Sequence, residues 1–186
     1  MLTLANFACV ALIVTEIILN RLLRSNSSDK KREDKHSTGI IWLAMFLVIL
    51  LSVFISRFIH LPIYLNARVQ YLGVLIIFLA IIFRLLAVFS LGKFFTVDVA
   101  IREDHRLKKD GLYKYLRHPA YLASLMSFIG MAWTFNNWIS LFLMTVTTFM
   151  VLNHRIRIEE QVLTEHFGVE YLDYQRTTRK IIPFIY

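Results

Sequence analysis

Apolar residues run along this chain in long blocks rather than alternating with polar ones, and the blocks have the length of membrane-crossing helices. Residues 2–23 are apolar except for Thr3, Asn6, Thr15, Glu16, Asn20 and Arg21. That block lacks the basic start and small-residue cleavage site of a signal peptide, so it reads as a retained span. Residues 40–59 form a second block, and 71–91 a third with one internal charge, Arg84. Blocks 121–135 and 138–152 are each shorter than the roughly 20 residues that cross a bilayer upright. Only Asn136 and Asn137 separate them, which predicts a tight helical hairpin that stops short of the far interface. The pattern predicts an all-α polytopic bundle of five transmembrane helices in one membrane domain, 1–186, without an internal repeat.

Composition narrows the class further. Of 186 residues, 57% are hydrophobic and 18% charged, against about 45–50% and about 25% for a soluble domain. A globule this small presents mostly polar groups to water, so an ordinary soluble enzyme, a disordered tail and a disulfide scaffold are excluded. The single cysteine, Cys9, cannot form an internal bridge, and six scattered histidines offer no metal-ligand spacing. The net charge of +8 on so apolar a chain points to anionic lipid rather than nucleic acid.

The distribution of that charge gives a direction. Arg21 lies at the end of the first block and Arg24, Lys30, Lys31, Arg32 and Lys35 follow it; Lys93, Arg102, Arg106, Lys108, Lys109, Lys114 and Arg117 lie in 92–119. The tail adds Arg155, Arg157, Arg176, Arg179 and Lys180, whereas the opposite side has only Arg57 and Arg68. The bias places the N-terminus outside and the C-terminus in the cytoplasm, which five spans satisfy. The membrane would be the plasma membrane of a prokaryote or the endoplasmic reticulum of a eukaryote. The polar, mixed-sign stretch 24–35 reads as a linker.

Two cytosolic segments, 92–120 and 153–186, are too patterned to be mere connectors. In the first, Asp110-Gly111 marks a turn, Leu112, Tyr113 and Leu116 fit one short helical face, and Pro119 suits the first turn of the fourth helix. In the second, 154–167 continues the fifth span as a helix with an apolar stripe, and Gly168 fits a C-cap. Arg155 and Glu159 are four apart and share a face. Taken singly, each feature has the blander reading as the stronger one: a basic, Pro-started span edge, a surface ion pair, an interfacial tyrosine belt.

Together they form an ordered signature. Gly111-x-Tyr113-x-x-x-Arg117-His118-Pro119-x-Tyr121, a hairpin, Arg155-x-x-x-Glu159-Glu160-x-x-Leu163, then Phe167-Gly168-x-x-Tyr171-x-x-Tyr174, and a closing Pro183-Phe184 follow one another. This resembles the isoprenylcysteine carboxyl methyltransferase family over about the last half of the chain, 105–186. The resemblance implies a membrane enzyme that takes a methyl group from S-adenosyl-L-methionine, leaving S-adenosyl-L-homocysteine. By position, it implies cofactor contacts from His105, Arg106, Leu107, Lys108, Tyr113, His118, Pro119, Ala120, Tyr121 and Glu159, in a cytosolic pocket between the loop before the fourth helix and the C-terminal helix. Arg155 corresponds to the family's substrate-side arginine. A glutamine that eukaryotic members use has no clear counterpart in 96–102, and nothing is transferred there.

Those roles make physical sense. Tyrosines and a carboxylate complement a cationic sulfonium donor with a flat ring. An α-carboxylate acceptor, with a pKa of about 3.3–3.7, is already ionised and needs orientation rather than a base. A guanidinium such as Arg155 can clamp it through two parallel hydrogen bonds. A prenylated cysteine substrate explains the membrane setting, since its tail gains roughly 0.8 kcal/mol per buried CH₂ in lipid. No G-x-G loop follows a strand, against a Rossmann-type methyltransferase. Glu16 and Arg84 either pair across the bundle or each snorkel to the interface. Competing readings are a phospholipid N-methyltransferase, an NADPH-dependent membrane sterol reductase and a non-catalytic membrane scaffold. The first needs a base for its amine; Glu160 is the adjacent candidate, and helical spacing turns it away from the Arg155–Glu159 face.

Overall fold

The structure, a computed structural model, describes residues 4–22, 31–32, 37–66, 68–92, 100–101 and 107–182. Five long helices follow the apolar blocks: α1 (Leu4–Leu22), α2 (Ser37–Phe58), α3 (Val69–Leu91), α4 (Pro119–Thr134) and α5 (Trp138–Phe167). A 3₁₀ turn, Gly111–Lys114, precedes α4, and a short helix α6 (Val169–Thr177) follows α5. The all-helical expectation needs one small amendment, a two-residue antiparallel pairing of Lys31–Arg32 with Ala100–Ile101.

Among the described residues, α2, α3 and α5 are long and apolar enough to cross a membrane, while α1 offers a shorter apolar stretch. At 1.5 Å per residue, the 16 residues of α4 reach about 24 Å, short of a hydrocarbon core of about 30 Å. The 30 residues of α5 reach about 45 Å, so its C-terminal part projects beyond the apolar layer.

The α2–α5, α3–α4 and α4–α5 pairs run antiparallel, while α1 lies parallel to α3. Ser140 on α5 donates to the Ser52 carbonyl on α2 at 3.0 Å, and Thr148 meets Met45 further along. The contact of α3 with α4 is the most extensive, and glycine makes it possible: a Cβ on Gly73 would lie 2.7 Å from the Gly130 carbonyl and 2.9 Å from the Thr134 nitrogen. In lipid, where apolar surface gains little by helix association, such close backbone approach and short polar bonds hold helices together. Ala8, Leu12, Met45, Val74, Ile77, Met131 and Met144 fill the centre. Phe7, Phe54, Phe78, Phe89 and Phe142 point outward.

The tight Asn136-Asn137 turn is as predicted, but it stands level with the end of α2 rather than short of it. Asn136 takes a positive φ of 48°, which its short polar side chain tolerates. Asn137 caps α5 by accepting from the Ser140 amide at 3.1 Å and donates to the Ile59 carbonyl at 2.7 Å. Asn136 bonds both the amide and carbonyl of Tyr64. The turn is thereby tied to the end of α2, at the pole opposite the site.

Candidate active site

The site forms where α4 begins and α5 leaves the bundle. Gly111, at φ +59°, opens the turn after Asp110; one 3₁₀ turn then buries Tyr113, and Leu116 is buried behind it. Pro119 occupies the first turn of α4, where its missing N–H costs nothing. His118, the residue before it, is 4% exposed.

Two successive glutamates of α5 straddle that histidine. His118 Nε2 lies 3.3 Å from Glu160 Oε1 and Nδ1 3.8 Å from Glu159 Oε2. The His118 ring also packs 5.6 Å from Tyr121, whose hydroxyl interacts with both Glu159 and Arg155. Arg155, one turn before Glu159, is buried. The direction expected for Glu160 is corrected here. Consecutive helical residues are about 100° apart, and the bend enters between the two, so Glu160 faces the same histidine from the other flank.

Glu160 is in fact a hub. Arg117 Nε donates to it at 2.8 Å, and Lys180 approaches to 3.7 Å. Burial opposes ionisation of Glu160, but hydrogen bonds from His118 and Arg117 outweigh it and hold its carboxyl down at about 2. An ionised carboxylate only accepts, so His118 Nε2 is the donor in this pair.

The chain then returns over the bend. Gly168, with φ +56°, ends α5, and α6 leads into residues 178–182, which lie beside the bend as a strap. The Arg117 amide donates to the Arg179 carbonyl at 2.8 Å, His118 to Lys180 at 3.1 Å, and Arg179 to Tyr115 at 3.0 Å. Arg117 Nη1 caps the exit of α6 by donating to the carbonyls of Thr178 at 2.6 Å and Gln175 at 3.1 Å. Tyr174 donates its hydroxyl to the Tyr113 carbonyl. Burial raises the phenols of Tyr113, Tyr171 and Tyr174 above the tyrosine range, and the Glu159 carboxylate adds to this for Tyr113. All three remain neutral hydroxyls.

The structure thus gathers Tyr113, His118, Pro119, Ala120, Tyr121, Arg155 and Glu159 at one end of the bundle. Leu107 is half-buried, and Lys108 pairs with Asp110 at 2.9 Å rather than with these residues. His105 and Arg106 lie outside the described residues, as do 96–99, 102 and Pro183-Phe184. Sequence reasoning assigned no structural role to Arg117, Tyr171, Tyr174 or 178–180. The signal available was Tyr171-x-x-Tyr174 after a helix-ending glycine, which sets both rings on one face.

Two buried polar atoms have no hydrogen-bond partner among the described residues of this site, Glu159 Oε2 and the Tyr171 hydroxyl. Buried groups of this kind are ordinarily satisfied, so the arrangement suits a ligand that brings donors to Glu159.

Comparisons with known proteins point to one family. The profile of the isoprenylcysteine carboxyl methyltransferase (ICMT) family matches residues 71–165, just over half of the chain. The chain is similar to the protein-S-isoprenylcysteine O-methyltransferase of Saccharomyces cerevisiae, 34% identical over 61% of this chain and 48% of that protein. It is also similar to protein-S-isoprenylcysteine O-methyltransferase A of Arabidopsis thaliana, 30% identical over 61% of this chain and 58% of that protein. The chain therefore spans about half the length of these curated relatives. Its fold is similar to the solved structure of the eukaryotic intramembrane Ras methyltransferase ICMT. The TM-score is 0.62 at 23% identity, covering 96% of this chain and 60% of that one.

Proposed function

The chain belongs to the isoprenylcysteine carboxyl methyltransferase family, and on that premise we propose that it methylates the C-terminal carboxylate of a prenylated cysteine at the cytosolic membrane face, using S-adenosyl-L-methionine. The observation that carries this reading is the meeting of Arg155, Glu159, Tyr121 and His118 where α5 emerges beside the Arg-His-Pro bend.

The residues present fit such a donor. Glu159 Oε2, buried and without a hydrogen-bond partner among the described residues, suits the ammonium of the donor's amino-acid head. The faces of Tyr113 and Tyr121 suit its ring and sulfonium. The bound sulfonium supplies an electrophilic methyl carbon. His118, Pro119 and Ala120 form the wall that excludes water, with Leu107 and Lys108 at its approach and His105 and Arg106 assigned to the same side by sequence position.

What remains for the protein is to orient the acceptor. Its carboxylate is ionised at neutral pH, so no proton moves. Arg155 holds it, and the neutral hydroxyl of Tyr121 fixes the guanidinium in turn. Glu160 is not a base: it is ionised far below neutral pH and bound to three cations or donors. An amine acceptor, which must lose a proton, therefore finds no base in Glu160.

A lipid-tailed acceptor keeps its chain in hydrocarbon and presents only its carboxylate to this end of the bundle. Five spans, with α1 and α4 as the short ones, the whole chain as one membrane domain and the site end in the cytoplasm are parts of this reading; the skewed Lys and Arg distribution supports the orientation. Transfer of a labelled methyl group to a farnesylated cysteine analogue tests it. Wild-type protein should methylate the analogue. Arg155→Ala should abolish transfer while leaving S-adenosyl-L-homocysteine binding within about threefold, and Glu159→Ala should lose binding as well. An inactive wild type, or either variant at full activity, overturns the assignment.

A further inference from the structure

Arg84 is the one charge inside the third apolar block, and the family signature gives it no role. Its side chain is 11% exposed and that of Glu16 15%. Arg84 Nη1 donates to the Ala120 carbonyl at 2.7 Å, and Nη2 lies 3.3 Å from Glu16 Oε2. A snorkelling arginine turns its head toward water and headgroups. Here both terminal nitrogens meet protein acceptors on two other helices, so pairing is the arrangement adopted.

The same face of α3 carries the rest of the bend. One turn on, the Ala87 carbonyl accepts from the Tyr113 hydroxyl at 3.4 Å. A further turn on, Ser90 Oγ would be 3.7 Å from a Cβ on Gly111. Residues 84, 87 and 90 are spaced by three and lie along one side of the helix. That side is a floor under Tyr113 and Ala120, two of the proposed cofactor contacts, reached from within the membrane. Glu16 comes from α1, outside the matched residues 71–165.

We propose that Arg84 and its counter-ion Glu16 are positioning residues for the cofactor side of the site, fixing the head of α4 from the membrane side; this rests on the methyl-transfer reading above. Arginine suits the task because its planar fork serves two acceptors at a fixed angle, which a lysine ammonium on a flexible stem does not. Glu16 keeps the buried guanidinium compensated and turned toward Ala120. The first helix is then a functional element of the site and not simply an anchor.

The test uses the full chain in detergent, with binding of S-adenosyl-L-homocysteine by calorimetry, the KM values for both substrates and the thermal midpoint. Arg84→Lys should weaken homocysteine-product binding about tenfold and raise the KM for the methyl donor similarly, with the KM for the farnesylated acceptor changed less than twofold. The doubly reversed Glu16→Arg, Arg84→Glu protein should regain the thermal midpoint lost by either single reversal. It should not regain affinity, because a carboxylate at 84 cannot donate to the Ala120 carbonyl. Wild-type affinity in Arg84→Lys, equal losses for both substrates, or recovery of affinity in the double reversal would overturn the positioning role while leaving methyl transfer intact. A wild-type protein that binds no S-adenosyl-L-homocysteine overturns both.

Discussion

Replacing Glu160 by glutamine probes the strap that closes over the bend. The carboxylate binds Arg117, His118 and Lys180 with its side chain 12% exposed. Its pKa falls from 4.5 to about 2 under His118 and Arg117, which at about 1.4 kcal/mol per tenfold is worth about 3 kcal/mol of the docking of α5 against the bend. Glutamine keeps the shape and loses the charge, so the variant should shift the opening of the bend from α5, and with it the strap bonded to Arg117 and His118, by on the order of 100-fold at pH 7. The amides of Arg117, His118 and Arg179 bridge bend and strap, and their hydrogen exchange, corrected for intrinsic rate, reports this opening. The sign with pH is fixed. A carboxyl whose folded value is depressed stabilises fully above its ordinary value and loses that contribution as pH falls through 4.5 toward about 2. Wild type and variant should therefore differ most at neutral pH and converge on acidification. Equal protection at pH 7, or a difference that does not shrink between pH 7 and about pH 2, would refute the argument that Glu160 anchors the bend.

Two further substitutions test the supports around this centre. Tyr174→Phe removes only the hydroxyl that donates to Tyr113. It should cost about 1 kcal/mol and weaken S-adenosyl-L-homocysteine binding about fivefold by calorimetry, with unchanged affinity marking the bond as idle. Gly73→Ala places a methyl 2.7 Å from the Gly130 carbonyl and 2.9 Å from the Thr134 nitrogen, both backbone atoms that cannot turn aside. It should destabilise by about 1–3 kcal/mol, seen as a lower thermal midpoint in detergent, and a wild-type midpoint would show that α3 and α4 cross less closely.

The parts of the fold that one chain segment specifies by itself were readable in the sequence. Apolar blocks located α1 to α5, Pro119 marked the start of α4, Asn136-Asn137 the hairpin, and Gly168 the end of α5. Each is a local signal: a run of one polarity, a missing N–H, a tolerated positive φ. What escaped was set between segments. The nine residues of α6 are too few and too polar to show a stripe, and the strap pairs through its backbone, which leaves no trace in side-chain type. Glu160 shows the limit most clearly. Helical periodicity gives its angle about the axis of α5, but not that His118, Arg117 and Lys180 converge on that angle from two other parts of the chain.

On the methyl-transfer reading proposed above, the unequal helix lengths are what would let a water-soluble donor and a lipid-tailed acceptor meet here. Asn137 is bonded to Ile59, just past the end of α2, so the hairpin turn stands at the far limit of a full-length span. From that level the 16 residues of α4 rise about 24 Å, about 6 Å less than a hydrocarbon core of about 30 Å. The Arg-His-Pro bend is thus recessed, low enough for Arg84 and Glu16 to reach it from inside the membrane. Meanwhile the 30-residue α5 runs on past the start of α4, and Glu159, Glu160 and Lys180 gather beside the bend. Lengthening α4 by one turn would lift the bend about 5.4 Å, out of reach of Arg84. A short α4 beside a long α5 is therefore the geometric condition for the site, and the sequence encodes it simply by starting the fourth apolar block late.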